Sequence, residues 1–89
     1  MGETPDIIEV RALEEYYIYL KFNTGEEKVY NMKEHIEKIL FFNKLKNRQY
    51  FEKVKPRGDT VEWENGEDVA PENLYYESIP VSEYTGKVD

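Results

Sequence analysis

The chain has 89 residues, enough for one small domain with a single modest core. Nineteen acidic against twelve basic residues leave a net charge of −7, a field that repels a nucleic-acid phosphate backbone unless a local basic patch opposes it. The absence of cysteine excludes disulfide scaffolds, cysteine-based zinc sites and thiol nucleophiles, and a content of 39% hydrophobic and 15% aromatic residues is too apolar for a disordered chain.

The opening "MGETPD" has neither a basic region nor an apolar run, so no signal peptide is expected. Asp6 stands where a myristoylation motif wants Ser or Thr, and no stretch has the length of a membrane span. Residues 1–6 therefore read as an N-terminal arm, and the expectation is a cytoplasmic protein with no membrane partner. "IIEVRAL", from Ile7 to Leu13, is β-branched and predicts a first strand with Ile8, Val10 and Ala12 on one face. Glu14 and Glu15 interrupt the apolar run and suit a tight connection. "YYIYLKF" alternates, with Ile18, Leu20 and Phe22 on one face and Tyr17, Tyr19 and Lys21 on the other. Gly25 supplies the positive φ of a three-residue hairpin loop, and "EEKVYN" returns as a third strand.

Asn31 followed by Glu34 has the spacing of a capping box, and Met32, Ile36, Ile39 and Leu40 fall on one helical face. "FFNKLKNRQYF" continues as a bent or second short helix with Asn43 as a cap and Phe42, Leu45 and Phe51 turned inward. "EKVK" and "TVEW" flank "PRGD" as a second hairpin with Val54, Val61 and Trp63 along it. "ENGED" is a turn, and Pro71 at the first helical position predicts a short helix "PENLYYE" seated by Leu74 and Tyr75. Residues 79–89 read as a flexible C-terminal tail after a single domain spanning 7–78. The order β-β-β-α-β-β-α predicts an α+β fold, an antiparallel sheet of about five strands with two or three short helices on one face.

The acidic stretch between Glu62 and Glu72 invites a cation-site reading. Placing Gly66 at the glycine of an EF-hand loop puts Val61 and Trp63 where ligands belong, so that motif fails. The structural alternative sets Glu62 and Glu64 opposite Val61 and Trp63 and makes Asn65-Gly66 the turn. It leaves Glu67 on the surface and puts Asp68 and Glu72 near a helix N-terminus, where the dipole favours negative charge. "RGD" at 57–59 is expected for turn reasons alone. His35, the one histidine, lies off the apolar face and reads as an inert surface residue. Ser78 and Ser82, near the end, offer no credible nucleophile for a Ser-His-Asp arrangement. No catalytic residue, cofactor or metal ligand is assigned, and no enzymatic activity is expected. Tyrosine is abundant, with eight, and Tyr17, Tyr19 and Lys21 would form an exposed partner-binding face if that side of the sheet is open.

Three stretches, "YIYLKFNTGEEKVYNM", "LFFNKLKNRQYFEKV" and "VEWENGEDVAPENLYYES", resemble in order the signature of the bacterial domain of unknown function 2442 family. The matching residues are Leu20, Phe22, Gly25 and Glu26, then Leu45 and Phe51, then Trp63, Gly66, Asp68, Pro71, Glu72, Leu74 and Tyr75. The resemblance implies a small α+β domain without established catalysis. It implies that Trp63, Gly66, Asp68, Pro71, Leu74 and Tyr75 form a strand-turn-helix closure. Family members followed by a helix-turn-helix domain, or encoded beside another small domain, suggest toxin–antitoxin-like organisation. No DNA-binding domain is read here, so no direct nucleic-acid contact is expected. The leading expectation is a non-catalytic protein-interaction module, the acidic member of such a pair, with a basic protein partner. The alternative is a small-ligand or divalent-metal domain that uses the acidic 62–72 segment.

Overall fold

A computed structural model describes residues 3–88. Strand β1 (Ile7–Ala12) pairs antiparallel with β2 (Tyr17–Phe22), and β2 with β3 (Glu27–Asn31). The three form the expected meander. The Asn23-Thr24-Gly25 loop is closed by the Phe22 N–H donating to Glu26 O at 2.9 Å, with Gly25 at φ 93°. A β-bulge lies between Ile7 and Glu9, so the inward position at the start of β1 falls to Ile7. Ile8, expected to share a face with Val10 and Ala12, is exposed, while those two pack against the core.

The α+β class with antiparallel strands and short helices holds, and the strands are divided between two sheets. The main sheet has four strands, and its fourth is the two-residue strand β6 (Ile79–Pro80), which pairs with β3 through Lys28↔Pro80 and Val29↔Ile79. The second hairpin, β4 (Lys55–Arg57) and β5 (Thr60–Glu62), forms its own two-stranded sheet. Each of its strands is three residues long, and Pro56 has no N–H for a ladder, so the hairpin is suited to an edge and not to a sheet interior. It touches the main sheet where the Ile7 N–H donates to Gly58 O at 2.9 Å. The RGD turn is spent on structure: Gly58 has φ 58°, Arg57 pairs with Glu62 at 3.3 Å and Asp59 accepts from Thr4 Oγ1 at 3.1 Å.

Helix α1 (Lys33–Lys38) begins next to Asn31, whose Oδ1 accepts from the Lys33 N–H at 2.8 Å. Met32 and Ile36 are buried as expected. The predicted face then fails, because Ile39 is extended (φ −117°, ψ 115°) and a 3₁₀ helix (Leu40–Lys46) follows. At three residues per turn, Phe42 and Leu45 share one buried ridge, and Leu40 and Phe41 are turned outward. Asn47, not Asn43, caps helix α2 (Arg48–Phe51): its Oδ1 accepts from the Tyr50 N–H at 3.1 Å. His35 is half-buried rather than idle at the surface, with Nε2 2.7 Å from the Tyr30 hydroxyl and its ring against Phe42.

Ile18, Leu20 and Phe22 project from β2 into one core with Met32, Phe51, Val61, Trp63 and Leu74. Helix α3 (Pro71–Glu77) starts on Pro71 and buries Leu74, and Tyr75 lies edge-on to Phe22 at 5.1 Å. Thr24 and Tyr75 both donate to Glu26 Oε1, at 2.8 and 2.7 Å, tying the first hairpin loop to α3. These bonds, Tyr75's first, hold the Glu26 carboxyl below the usual carboxylate range.

Trp63 is fully enclosed and packs on Phe51, so Trp63→Ala should cost roughly 3–5 kcal/mol, read from the shift of the chemical denaturation midpoint. A near-neutral result would place the indole outside the core. A second expectation concerns alkaline pH. Burial, with Glu77 and Glu34 nearby, pushes the Tyr30 hydroxyl up to about 12, above its ordinary value of 10.0. The unfolded chain therefore ionises this group first. Its stabilising contribution is intact below pH 10.0 and is lost as pH rises toward about 12. Urea midpoints across that window should fall for the wild type and fall less for Tyr30→Phe; parallel curves would remove Tyr30 as a cause.

Candidate functional site

The sequence places Tyr17, Tyr19 and Lys21 on one face of β2, and that face is not open. Tyr19 is 3% exposed in a second small core with Leu13 and Val29. The residues expected as a flexible tail lie over it: Val81, Tyr84 and Val88 pack against this cluster. The Tyr19 hydroxyl donates to Glu27 Oε1 at 2.7 Å, and the Arg11 guanidinium sits 4.4 Å over its ring. Burial first, then the Glu27 bond, raises its pKa. Lys21 is half-buried between Glu9 and Glu27, its cross-strand neighbours. Of the three residues, Tyr17 alone lines a cavity described below.

That cavity is a cleft of about 320 Å³ between the β1–β2 connection and the C-terminal segment. Its wall carries the carboxylates of Glu14, Glu15 and Glu83 and the rings of Tyr17 and Tyr84. The two rings lie 5.2 Å apart and tilted by 53°. Glu15 (φ 56°) and Tyr16 (φ 65°) are consecutive residues in the left-handed region, a conformation that costs an L-residue about 1–2 kcal/mol. The surroundings hold them there. The Leu13 N–H donates to Tyr17 O at 2.8 Å and the Met32 N–H to Tyr16 O at 2.9 Å. The Tyr16 hydroxyl donates to Lys46 O at 2.6 Å, its ring meets Phe51 edge-on at 5.0 Å, and Arg48 Nη2 reaches Leu13 O at 2.6 Å. The result is a turn that shows Glu14 and Glu15 to solvent while the backbone of Leu13 and the carbonyls of Tyr16 and Tyr17 are hydrogen-bonded.

On the far wall, a Cβ at Gly86 would collide with the Tyr84 ring, so the ring is held against bare backbone. Desolvation, followed by the nearby Tyr17, Glu14 and Glu15, raises the Tyr84 pKa. The cleft therefore combines aromatic faces with negative charge, a surface complementary to a guanidinium or ammonium group. The sequence did flag Glu14-Glu15 and Tyr17, but not Glu83 and Tyr84. Those two belong to residues whose packing depends on β6 pairing with β3.

The acidic 62–72 segment is organised otherwise. Glu62 pairs with Arg57 at 3.3 Å and Lys55 at 3.9 Å, and Glu64 pairs with Lys53 at 3.5 Å. Glu67, expected on the surface, is 3% exposed: Oε1 accepts from the Tyr50 hydroxyl at 2.6 Å, and the same hydroxyl accepts from the Asn65 N–H at 2.8 Å. The Trp63 indole N–H donates to Phe51 O at 2.8 Å, and the turn closes through Gly66 N–H to Trp63 O and Trp63 N–H to Glu67 O, both 2.9 Å, with Gly66 at φ 95°. Asp68, expected near a helix N-terminus, lies ahead of the Ala70 N-cap of α3, is exposed, and bridges Glu62 through the backbone. Among the described residues no three His, Asp or Glu side chains are grouped to hold a metal ion.

Tyr50→Phe removes both the donor to Glu67 and the acceptor for Asn65, and should destabilise by about 1–3 kcal/mol. Glu64→Gln, at an exposed pair, should stay within about 0.5 kcal/mol of wild type. Equal denaturation midpoints for the two variants would contradict this ranking.

The family model described as a protein of unknown function (DUF2442) matches residues 7–80. No curated protein and no solved structure matches the chain. Among the described residues no helix is long and apolar enough to cross a membrane.

Proposed function

The chain belongs to the DUF2442 family, and from that premise we propose a non-catalytic protein-interaction module, acting in the cytoplasm, whose cleft at Glu14, Glu15, Tyr17, Glu83 and Tyr84 receives a basic side chain of a protein partner. The observation that carries this reading is the pair of left-handed residues, Glu15 and Tyr16, that holds two carboxylates beside two tyrosine rings. Strain of this kind persists only where the surroundings over-determine it, and here it creates a concave surface of one charge sign. The net charge of −7 adds long-range steering toward a basic partner. The arrangement suits the acidic member of a toxin–antitoxin-like pair. A non-catalytic role agrees with the engagement of the groups that chemistry would use: His35 is bonded to Tyr30, and Ser78 Oγ donates to Tyr75 O at 3.2 Å.

The test is fluorescence polarisation with a short labelled Arg/Lys-rich peptide at low and high salt, alongside co-purification from the native host. Binding is expected to weaken as salt rises. The Glu14→Gln/Glu15→Gln/Glu83→Gln variant should lose about tenfold in affinity, equivalent to roughly 1.4 kcal/mol. Gly86→Val, which forces the Tyr84 ring out of its present position in the cleft wall, should weaken binding with little change in the denaturation midpoint. Peptide binding indifferent to all these changes, together with recovery of the free chain alone from the host, overturns the assignment.

A further inference from the structure

The charge of this chain is segregated. Between residues 38 and 58 it carries seven basic residues and one acid, Glu52, whereas the remainder carries five basic residues and eighteen acids. The basic segment folds as the 3₁₀ helix, α2 and β4. Along it runs an open groove of about 590 Å³ lined by Asn43, Lys44, Lys46, Asn47, Gln49 and Lys53 beside Tyr50, with no carboxylate in its wall. Lys44 and Lys46 make no ion pair among the described residues, and Lys53 has an exposed and therefore weak one with Glu64. The Asn47 carboxamide is oriented by its own cap: Oδ1 is taken by the Tyr50 N–H, which leaves the amide donors for a ligand.

The 3₁₀ geometry adds an apolar component. Residues three apart eclipse, so Leu40, Asn43 and Lys46 form one outward ridge, and Phe41 and Lys44 a second. Each ridge runs from an exposed apolar side chain (Leu40 85%, Phe41 59%) to an unpaired lysine. With Ile39 also exposed, three consecutive apolar residues meet solvent immediately before the first groove-lining residues, Asn43 and Lys44, in the chain. We propose that this groove docks an acidic, apolar-alternating segment of a second protein, its carboxylates on Lys44, Lys46 and Lys53 and its apolar side chains on Leu40 and Phe41. The site is separate from the cleft at Glu14 and Tyr17 and opposite to it in sign.

Other occupants match less of the surface. A phosphodiester chain would meet the lysines, but Leu40, the most exposed apolar residue, offers it no ring on which a base stacks and is left unmatched. An anionic bilayer would bring its charge up to Glu34 and Glu37 on α1, beside the apolar tip, where Lys38 is already paired with Glu34 at 3.1 Å. A two-fold symmetric second copy would set the lysines of one groove against those of the other.

The experiment titrates the intact chain into a short fluorescein-labelled peptide that alternates Glu with Leu and Phe. Parallel titrations use the same peptide with Gln in place of Glu, a labelled oligothymidylate and phosphatidylserine vesicles. The acidic peptide should bind saturably and more tightly than the other probes. Lys44→Glu/Lys46→Glu and Leu40→Ser/Phe41→Ser should each weaken it at least about tenfold, or roughly 1.4 kcal/mol. All the substituted side chains are solvent-exposed, and a preserved far-UV circular dichroism spectrum and denaturation midpoint confirm folding. The Glu14→Gln/Glu15→Gln/Glu83→Gln variant should bind this peptide at least as well as wild type, which separates this site from the cleft. No saturable binding, equal binding of the Gln peptide, tighter binding of oligothymidylate or vesicles, or indifference to either groove variant overturns the proposal.

Discussion

The seat of Trp63 on Phe51 is the contact on which the remaining architecture depends. The indole stacks on the Phe51 ring at 5.8 Å and its N–H donates to the Phe51 carbonyl at 2.8 Å, so one side chain satisfies both an apolar and a polar requirement. This pins a helix of four residues, α2, that is too short to persist alone. From α2 the restraint passes in two directions. Tyr50 holds the 63–67 turn through Glu67 and Asn65, while Phe51 meets Tyr16 edge-on and Arg48 reaches the Leu13 carbonyl. The strained β1–β2 connection is therefore braced by a residue far along the chain.

That bracing explains why two adjacent left-handed residues, neither a glycine, are tolerated. Their cost is offset because the Tyr16 carbonyl, hydroxyl and ring are each used. Relaxing the turn would forfeit a cross-strand hydrogen bond to Met32, a bond to Lys46 and an aromatic contact with Phe51 together. The acidic rim at Glu14 and Glu15 is thus a product of the core, and its geometry should be as rigid as the core itself.

The two faces of the main sheet are covered by different means. One packs on the helices and the 63–67 turn around the large core, and the other is covered by the C-terminal segment through a small cluster of Leu13, Tyr19 and Val29. The second cover is thin, which leaves a cleft beside Tyr17 and Tyr84 at its margin. On the opposite side of the charge balance, the 3₁₀ helix presents lysines with apolar neighbours because its threefold period buries one ridge and exposes the other two. Both candidate surfaces arise where a regular element ends or changes pitch.

Local periodicity determined much of the fold. The alternation of Ile18, Leu20 and Phe22, the Gly25 loop, Pro71 at a helix start and Trp63 with Leu74 as apolar anchors were all legible, because each depends on neighbours within a few residues. Tertiary structure alone decided the rest. The bulge at Ile8 reversed which isoleucine is buried, since register is set by the partner strand. Glu67 was taken inside because Tyr50, seventeen residues away, supplies its hydrogen bond. Tyr19 was covered because Ile79 and Pro80 pair with β3 and carry Tyr84 over the sheet, a pairing that two residues of pattern cannot announce. Helix α1 stopped at Lys38 although the apolar spacing continues, because a threefold pitch buries both Phe42 and Leu45. Spacing tells which residues share a face of an element; only the assembled chain decides whether that face meets protein or water.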